Sequence, residues 1–250
     1  MAVLESQSRQ FTSELEASLL QFERAQEWAD LISYLQRLQR VLNKFSELPI
    51  TSNKVLLAKR LYQCLNPALP SGVHLKTLET LELIFSRIGP ARLACDLAFY
   101  SEGIFPLYRH ASYQVKPALL SLFERYYVPL GFGAVPCLPG LMLALLSAMD
   151  DVGSSYHSHA VRLLDSLAER VPTDAFMGSV AHPPRSPVWP LSQSNAQRVP
   201  GCPACGSMER APARLSLAVV LSVAWHASER AHCRPCSPRE TRACRADLVR

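Results

Sequence analysis

Four cysteines in two pairs, Cys202-Pro-Ala-Cys205 and Cys233-Arg-Pro-Cys236, carry the spacing with the sharpest chemical meaning. A Cys-x-x-Cys turn sets two thiolates at chelating distance, and two such turns complete a tetrahedral zinc site. Against zinc stand the 27-residue gap between the pairs and the lack of strand patterns around them. The surrounding Pro, Arg, Ala, Ser and Cys are also what an unselected GC-rich reading frame encodes. Both readings stay open: a zinc-dependent module, or a tail with no metal and no fold.

The remaining candidates are weaker. His157-Ser-His159 is spaced i, i+2, which points the two rings to different faces of a helix and does not pair them as ligands. Asp150-Asp151, just before Gly153, reads as a solvated turn rather than an acid pair. Gly131-Phe-Gly133 lacks the third glycine and the preceding strand of a phosphate-binding loop. No Ser or Cys nucleophile has a base partner nearby in the sequence, so no catalytic residue and no cofactor is expected. Lys54, Lys59, Arg60 and Lys76, with Arg87 and Arg92 beyond, make a locally basic region that reads either as an interaction or lipid surface or as solvated helix faces. His74, after a Pro-Ser-Gly turn, belongs to the same region as a ligand contact or as a packed histidine.

Charge divides the 250 residues in two. Residues 1–180 carry 16 Lys and Arg against 17 Asp and Glu; residues 181–250 carry 10 arginines, no lysine and 4 acids. The second part also holds nine of the nineteen prolines and five of the eight cysteines. The expected division is a helical domain over 1–180 and a mostly disordered tail over 181–250, an alternative or truncated C-terminus. A near-neutral domain without exposed-looking aromatics among its basic residues does not suit nucleic acid. Glu5 and Arg9 interrupt the N-terminus before an apolar run of signal-peptide length, which predicts a cytosolic chain. Cys64, Cys95 and Cys137 lie far apart in apolar surroundings and read as small buried hydrophobes.

Apolar residues in the first part recur with helical period between Pro, Gly or Asn breaks. The expected helices are Thr12–Phe22, Glu27–Phe45, Lys54–Leu65 capped by Asn53, and Leu75–Ile88 stopped at Gly89-Pro90. After them come a helix from Pro90 or Ala91 to Tyr100, one from Pro117 to Tyr126, then Leu138–Met149 and Ser155–Val171. The loops Asn66–Val73 and Ser101–Gln114 are expected to present contacts. Tyr126–Met149 is uncharged and of membrane-spanning length, but its prolines and glycines leave only Leu141–Met149 uninterrupted, which predicts a buried helix. The pattern is all-α, stacked helical pairs in a HEAT or armadillo-like α-solenoid, with an irregular bundle as the other arrangement. Trp28, Leu31, Leu35, Leu61, Leu78, Phe85, Leu97 and Leu122 are the expected core. Pro183, Pro184 and Pro187 forbid a further regular helix, so the last apolar face is expected to lie partly uncovered.

Several blocks resemble the N-terminal domain of the Dopey family across about residues 12–180. They are Glu27-Trp-Ala-Asp-Leu-Ile-Ser33, Ala58-Lys-Arg-Leu61, Cys64-Leu-Asn-Pro-Ala-Leu-Pro-Ser-Gly-Val-His-Leu-Lys76, Leu78-Glu79, Phe99-Tyr-Ser101, Phe105-Pro-Leu107 and Val115-Lys-Pro117. The unbroken stretch Asn66–Lys76 has no low-complexity explanation. The resemblance implies a non-enzymatic scaffold in traffic between Golgi and endosomes, peripheral on the cytosolic side of trans-Golgi-network and endosome membranes. It also implies a Mon2-type trafficking partner and flippase-associated machinery, with anionic membrane as a further contact. Leu81 and Cys95 depart from the aromatic and the lysine usual in that family.

Overall fold

Apolar stripes at helical spacing cannot stay in water, and the chain hides them by packing helix on helix. In a computed structural model, which describes residues 2–50, 53–101, 103–150 and 154–181, the order is α1 (Ala2–Gln21), a 3-10 turn (Phe22–Arg24), α2 (Trp28–Lys44) and α3 (Lys54–Cys64). Then come α4 (Ser71–Tyr100), α5 (Ile104–His110), α6 (Val115–Leu122), a π-helical turn (Phe123–Tyr127), a 3-10 segment (Val128–Cys137), α7 (Leu138–Met149), α8 (Ser155–Arg170) and α9 (Thr173–Ala181). Among the described residues there is no strand. Packing runs chiefly between elements near in sequence: α1 on α2, α2 and α3 on α4, α5 on α7, and α7 on α8 and α9. This is the stacked all-helical architecture expected of the sequence. The segment 182–250, with the expected disordered tail, lies outside the described residues.

Local chemistry sets the helix ends. At α2, Asp30 accepts from the backbone N–H of Glu27 at 3.1 Å and the Glu27 side chain caps the first turn in return, a capping box. These backbone donors hold the Asp30 carboxyl below its ordinary range. At α8, Ser154 Oγ accepts from the His157 N–H at 3.3 Å. Asn53 does precede α3, but in the left-handed region (φ 59°) and without capping it; its Nδ2 instead donates to Glu16 Oε1 at 2.9 Å. Gly89 breaks α4 at φ 72°, ψ 170°, a conformation open essentially to glycine, and Pro90 restarts the helix at once.

The core centres on an aromatic cluster. Phe85 of α4 meets Tyr100, Tyr126 and Tyr127 edge-on at centroid distances of 5.6, 5.5 and 6.0 Å. Phe105 of α5 adds Phe123 at 5.7 Å and Tyr127 at 5.3 Å. Tyr127 is fully buried, its hydroxyl sharing a hydrogen bond with Ser101 Oγ at 3.1 Å. A π-helical turn delivers Phe123 and Tyr127 inward, and Pro129, two residues beyond it, has no N–H to donate back into the helix.

Leu35, Leu61, Leu78, Phe85, Leu97 and Leu122 are buried as expected, and α7 is the expected buried helix. The continuous run Val115–Met149 is long and apolar enough to cross a membrane by length and composition. It is kinked at Gly131, and α7 packs on α5 and α8.

Several expectations need correction. Trp28 is 55% exposed and Leu31 half-buried, because periodicity decides the face of α2 but not how far its neighbours extend along it. Cys95 is exposed, since the inward face of that helix is taken by Leu93, Asp96, Leu97 and Tyr100. Residues 101–114 are not an open contact loop. They contain α5, whose Ile104, Phe105, Leu107 and Tyr108 are buried, and its Pro106 is harmless in a first turn where N–H groups lack helical partners anyway. α1 begins ten residues before the expected Thr12, burying Phe11 against Phe45 at 5.4 Å. The helix expected from Pro117 starts at Val115.

Candidate functional site

The basic region from α3 to α4 is built largely from internal pairs. Lys54 Nζ lies 2.7 Å from Asp96 Oδ1 and 5.0 Å from the Phe99 ring centroid, and Arg92 Nε reaches the other oxygen of Asp96 at 3.4 Å. Asp96 is almost wholly buried, so this pairing ties α3 to α4 and keeps a buried carboxylate from standing alone. Arg60 pairs with Glu23 at 2.7 Å, donates to Gln63 at 3.1 Å and lies over the Phe22 ring, joining α3 to the first 3-10 turn. Lys76 pairs with Glu79 at 2.7 Å on the same helix. Lys59 is exposed.

His74 is a packed histidine. It is 3% exposed and its Nε2 lies 2.9 Å from the Asn66 carbonyl oxygen, so that nitrogen carries the proton. Asn66 in turn accepts from the Ala68 N–H through its side chain and from the Leu69 N–H through its carbonyl, at 3.0 and 2.9 Å. His74 thereby anchors the turn that leads into α4. Arg87 also turns inward: it donates to the carbonyls of Leu42 (3.0 Å), Phe45 and Leu48 and lies over the Phe11 ring, closing the C-terminal end of α2.

The groups that could do covalent or metal chemistry are dispersed. His159 Nε2 pairs with Glu124 at 2.9 Å, whereas His157 serves α8 through its backbone. Asp150 closes α7, and Asp151 lies outside the described residues. Among the described residues no group of three His, Cys, Asp or Glu side chains could hold a metal ion. Cys64 and Cys137 are free thiols that burial pushes up to about 12. Thiols so protonated are poor nucleophiles. Cys202, Cys205, Cys233 and Cys236 lie outside the described residues.

The feature that sequence reading missed is a trough of about 610 Å³ between α1 and α2. Its α1 wall is Glu14, Ala17, Ser18 and Gln21, an i, i+3, i+4, i+7 row, with Leu20 beside it; its α2 wall is the matching row Arg37, Arg40, Val41 and Lys44. Arg24 stands at one end, and a second hollow of about 200 Å³ continues from it past Tyr34 and Asp30. Leu20 is 59% exposed. Lys44 crosses to Glu14 at 2.6 Å and holds that carboxyl below its ordinary range. Arg24, Arg37 and Arg40 are exposed and have no carboxylate at ion-pair distance among the described residues; Arg40 Nε reaches only the Gln36 carbonyl, at 3.5 Å. The signal was present in the sequence as basic residues at 37, 40 and 44 on one helical edge.

Comparison with known proteins gives the family. A family model described as Dopey, N-terminal matches residues 5–182. Protein DOP1B of Xenopus laevis is 43% identical over 172 residues, 69% of this chain and 8% of that protein. Protein pad-1 of Caenorhabditis elegans is 41% identical over 172 residues, with 69% and 7% covered. Protein DOP1 of Saccharomyces cerevisiae is 32% identical over 180 residues, with 69% and 10% covered. The chain thus spans a tenth or less of the length of these relatives. No solved structure matches it at a significant level.

Proposed function

The chain belongs to the Dopey family, and from that membership we propose that it is a non-enzymatic scaffold in traffic between Golgi and endosomes. The match over residues 5–182 is the observation that carries this reading. The charged groups of the basic region serve packing, Lys54 being joined to buried Asp96 and Arg60 to Glu23, which suits a scaffold. What the domain offers a partner is surface: a stack of helices packed on one another, with a cationic trough on its first two.

The proposed setting is the cytosolic side of trans-Golgi-network and endosome membranes. There the chain meets a Mon2-type trafficking protein and flippase-associated machinery, and touches anionic lipid peripherally. The test is fractionation of cells expressing a tagged chain. The expected result is co-sedimentation with Golgi and endosome membranes and release by high salt without detergent, as electrostatic peripheral binding requires. A chain found wholly in the soluble fraction, or released only by detergent, overturns the reading.

A further inference from the structure

The trough between α1 and α2 has the wrong chemistry to be finished. Ala17 and the 59% exposed Leu20 give its α1 wall apolar surface, while three arginines without carboxylate partners among the described residues line its α2 side and one end. Arg37, Arg40 and Lys44 repeat at i, i+3, i+7, so the rim follows two turns of α2, roughly 10 Å. Three guanidinium groups near one another repel, and apolar surface in water is costly; one occupant with an apolar stripe between acidic flanks would relieve both. We propose that this trough seats an acidic amphipathic helix of a partner protein, its apolar stripe on Ala17 and Leu20 and its carboxylates on Arg24, Arg37 and Arg40. The proposal rests on the scaffold reading above and names the class of partner.

The other occupants fit less well. A bilayer surface or an isolated phosphate group meets the arginines but leaves the apolar wall at Ala17 and Leu20 uncovered. The chain's own residues 181–250 carry 10 arginines against 4 acids and repel the rim. A helix lying along the trough matches both its direction and its two-sided chemistry, the usual way a helix is read by a groove.

The experiment uses the full 250-residue chain and a fluorescent helical peptide of roughly 18 residues, about five turns. The peptide carries leucines at i, i+3, i+4, i+7 and glutamates on both flanks; a second peptide carries lysines in place of the glutamates. In anisotropy titrations the Glu-flanked peptide is expected to bind at least about tenfold more tightly than the Lys-flanked one. Binding should weaken as salt rises from about 0.1 M to about 1 M, where the screening length falls from about 10 Å to about 3 Å. The double variant Arg37→Glu/Arg40→Glu should lose about tenfold for the first peptide and gain affinity for the second, and that gain also shows the variant is folded. Leu20→Asn, which removes apolar contact without adding charge, should weaken both. Equal affinity of wild type and double variant for the Glu-flanked peptide overturns the proposal, since the basic residues beyond 181 would produce that result. So does binding of phosphatidylserine vesicles through the same arginines with no peptide bound, or a chain dimer that the double variant splits. Membrane fractionation reads the scaffold reading separately, so either result can fail alone.

Discussion

Phe85→Ala tests the core most directly. The Phe85 side chain is 1% exposed and meets three tyrosine rings edge-on within 6.0 Å, so its removal leaves a hole and takes a ring partner from Tyr100, Tyr126 and Tyr127. A buried Phe→Ala change costs about 3–5 kcal/mol from lost transfer energy and residual cavity. Each aromatic pair is worth about 0.5–1.5 kcal/mol beyond its buried area, which places this site toward the upper end of that range. Domain stabilities run from about 5 to 15 kcal/mol, so the variant should remain folded in buffer with a greatly reduced margin. Urea melts followed by circular dichroism at 222 nm provide the assay, with Phe132→Ala as control. Phe132 is 74% exposed, and its truncation should move stability by no more than about 0.5 kcal/mol. Phe85→Leu, which keeps aliphatic bulk and loses the ring pairs, should fall between the two. A Phe85→Ala cost below about 1 kcal/mol, or one no larger than that of Phe132→Ala, would refute the assignment of this cluster as the centre of the core.

Gly89→Ala should destabilise by about 1–3 kcal/mol through backbone strain alone, because φ is 72° and a Cβ there meets nothing within 4 Å; an unchanged melt would mean the kink is not as described. Gly140→Ala should fail for the opposite reason, since its Cβ would lie 2.6 Å from Cδ2 of buried Phe105, and thermal melts of the pair with Phe105→Leu should show partial relief. Arg87→Ala should cost roughly 2–4 kcal/mol by leaving carbonyls at the end of α2 unmet. Arg87→Lys should recover less than half, as a single ammonium cannot reproduce the guanidinium fork; full rescue in hydrogen exchange of residues 42–48 would contradict this. Burial pushes the Cys64 and Cys137 thiols from an ordinary value of 9.0 up to about 12, so the folded state binds more protons between those values. The stability these two thiols contribute is therefore full below pH 9 and is lost as pH rises toward 12. A Cys64→Ala/Cys137→Ala variant should show a shallower alkaline decline than wild type, and an identical slope would count against the burial of these thiols. Mass-resolved alkylation of the native chain should label Cys95 before either of them.

Much of the architecture was legible along the chain because helices are local. The stripes of α2, α3, α7 and α8 can be read from spacing alone, and Gly89-Pro90 marks its break through the dihedral freedom of one residue and the ring of the next. The family was legible too, through the unbroken residues 66–76, where Asn66 and His74 now prove to hold one turn together. Tertiary structure decided what depends on neighbours distant in sequence. Trp28 lies on the expected face of α2 yet stays in water, whereas Tyr34 one and a half turns on is buried beneath Phe22, because coverage is set by another element's length. Lys54 and Arg87 look like free surface charge in the sequence, and only packing supplies the buried Asp96 and the carbonyl ends that claim them. The trough has the same origin: its two walls are separate helical edges, each ordinary alone, and its cationic side and apolar wall meet only where α1 and α2 come together. A sequence states the period and charge of each edge; which edges meet is fixed by the packing of the whole.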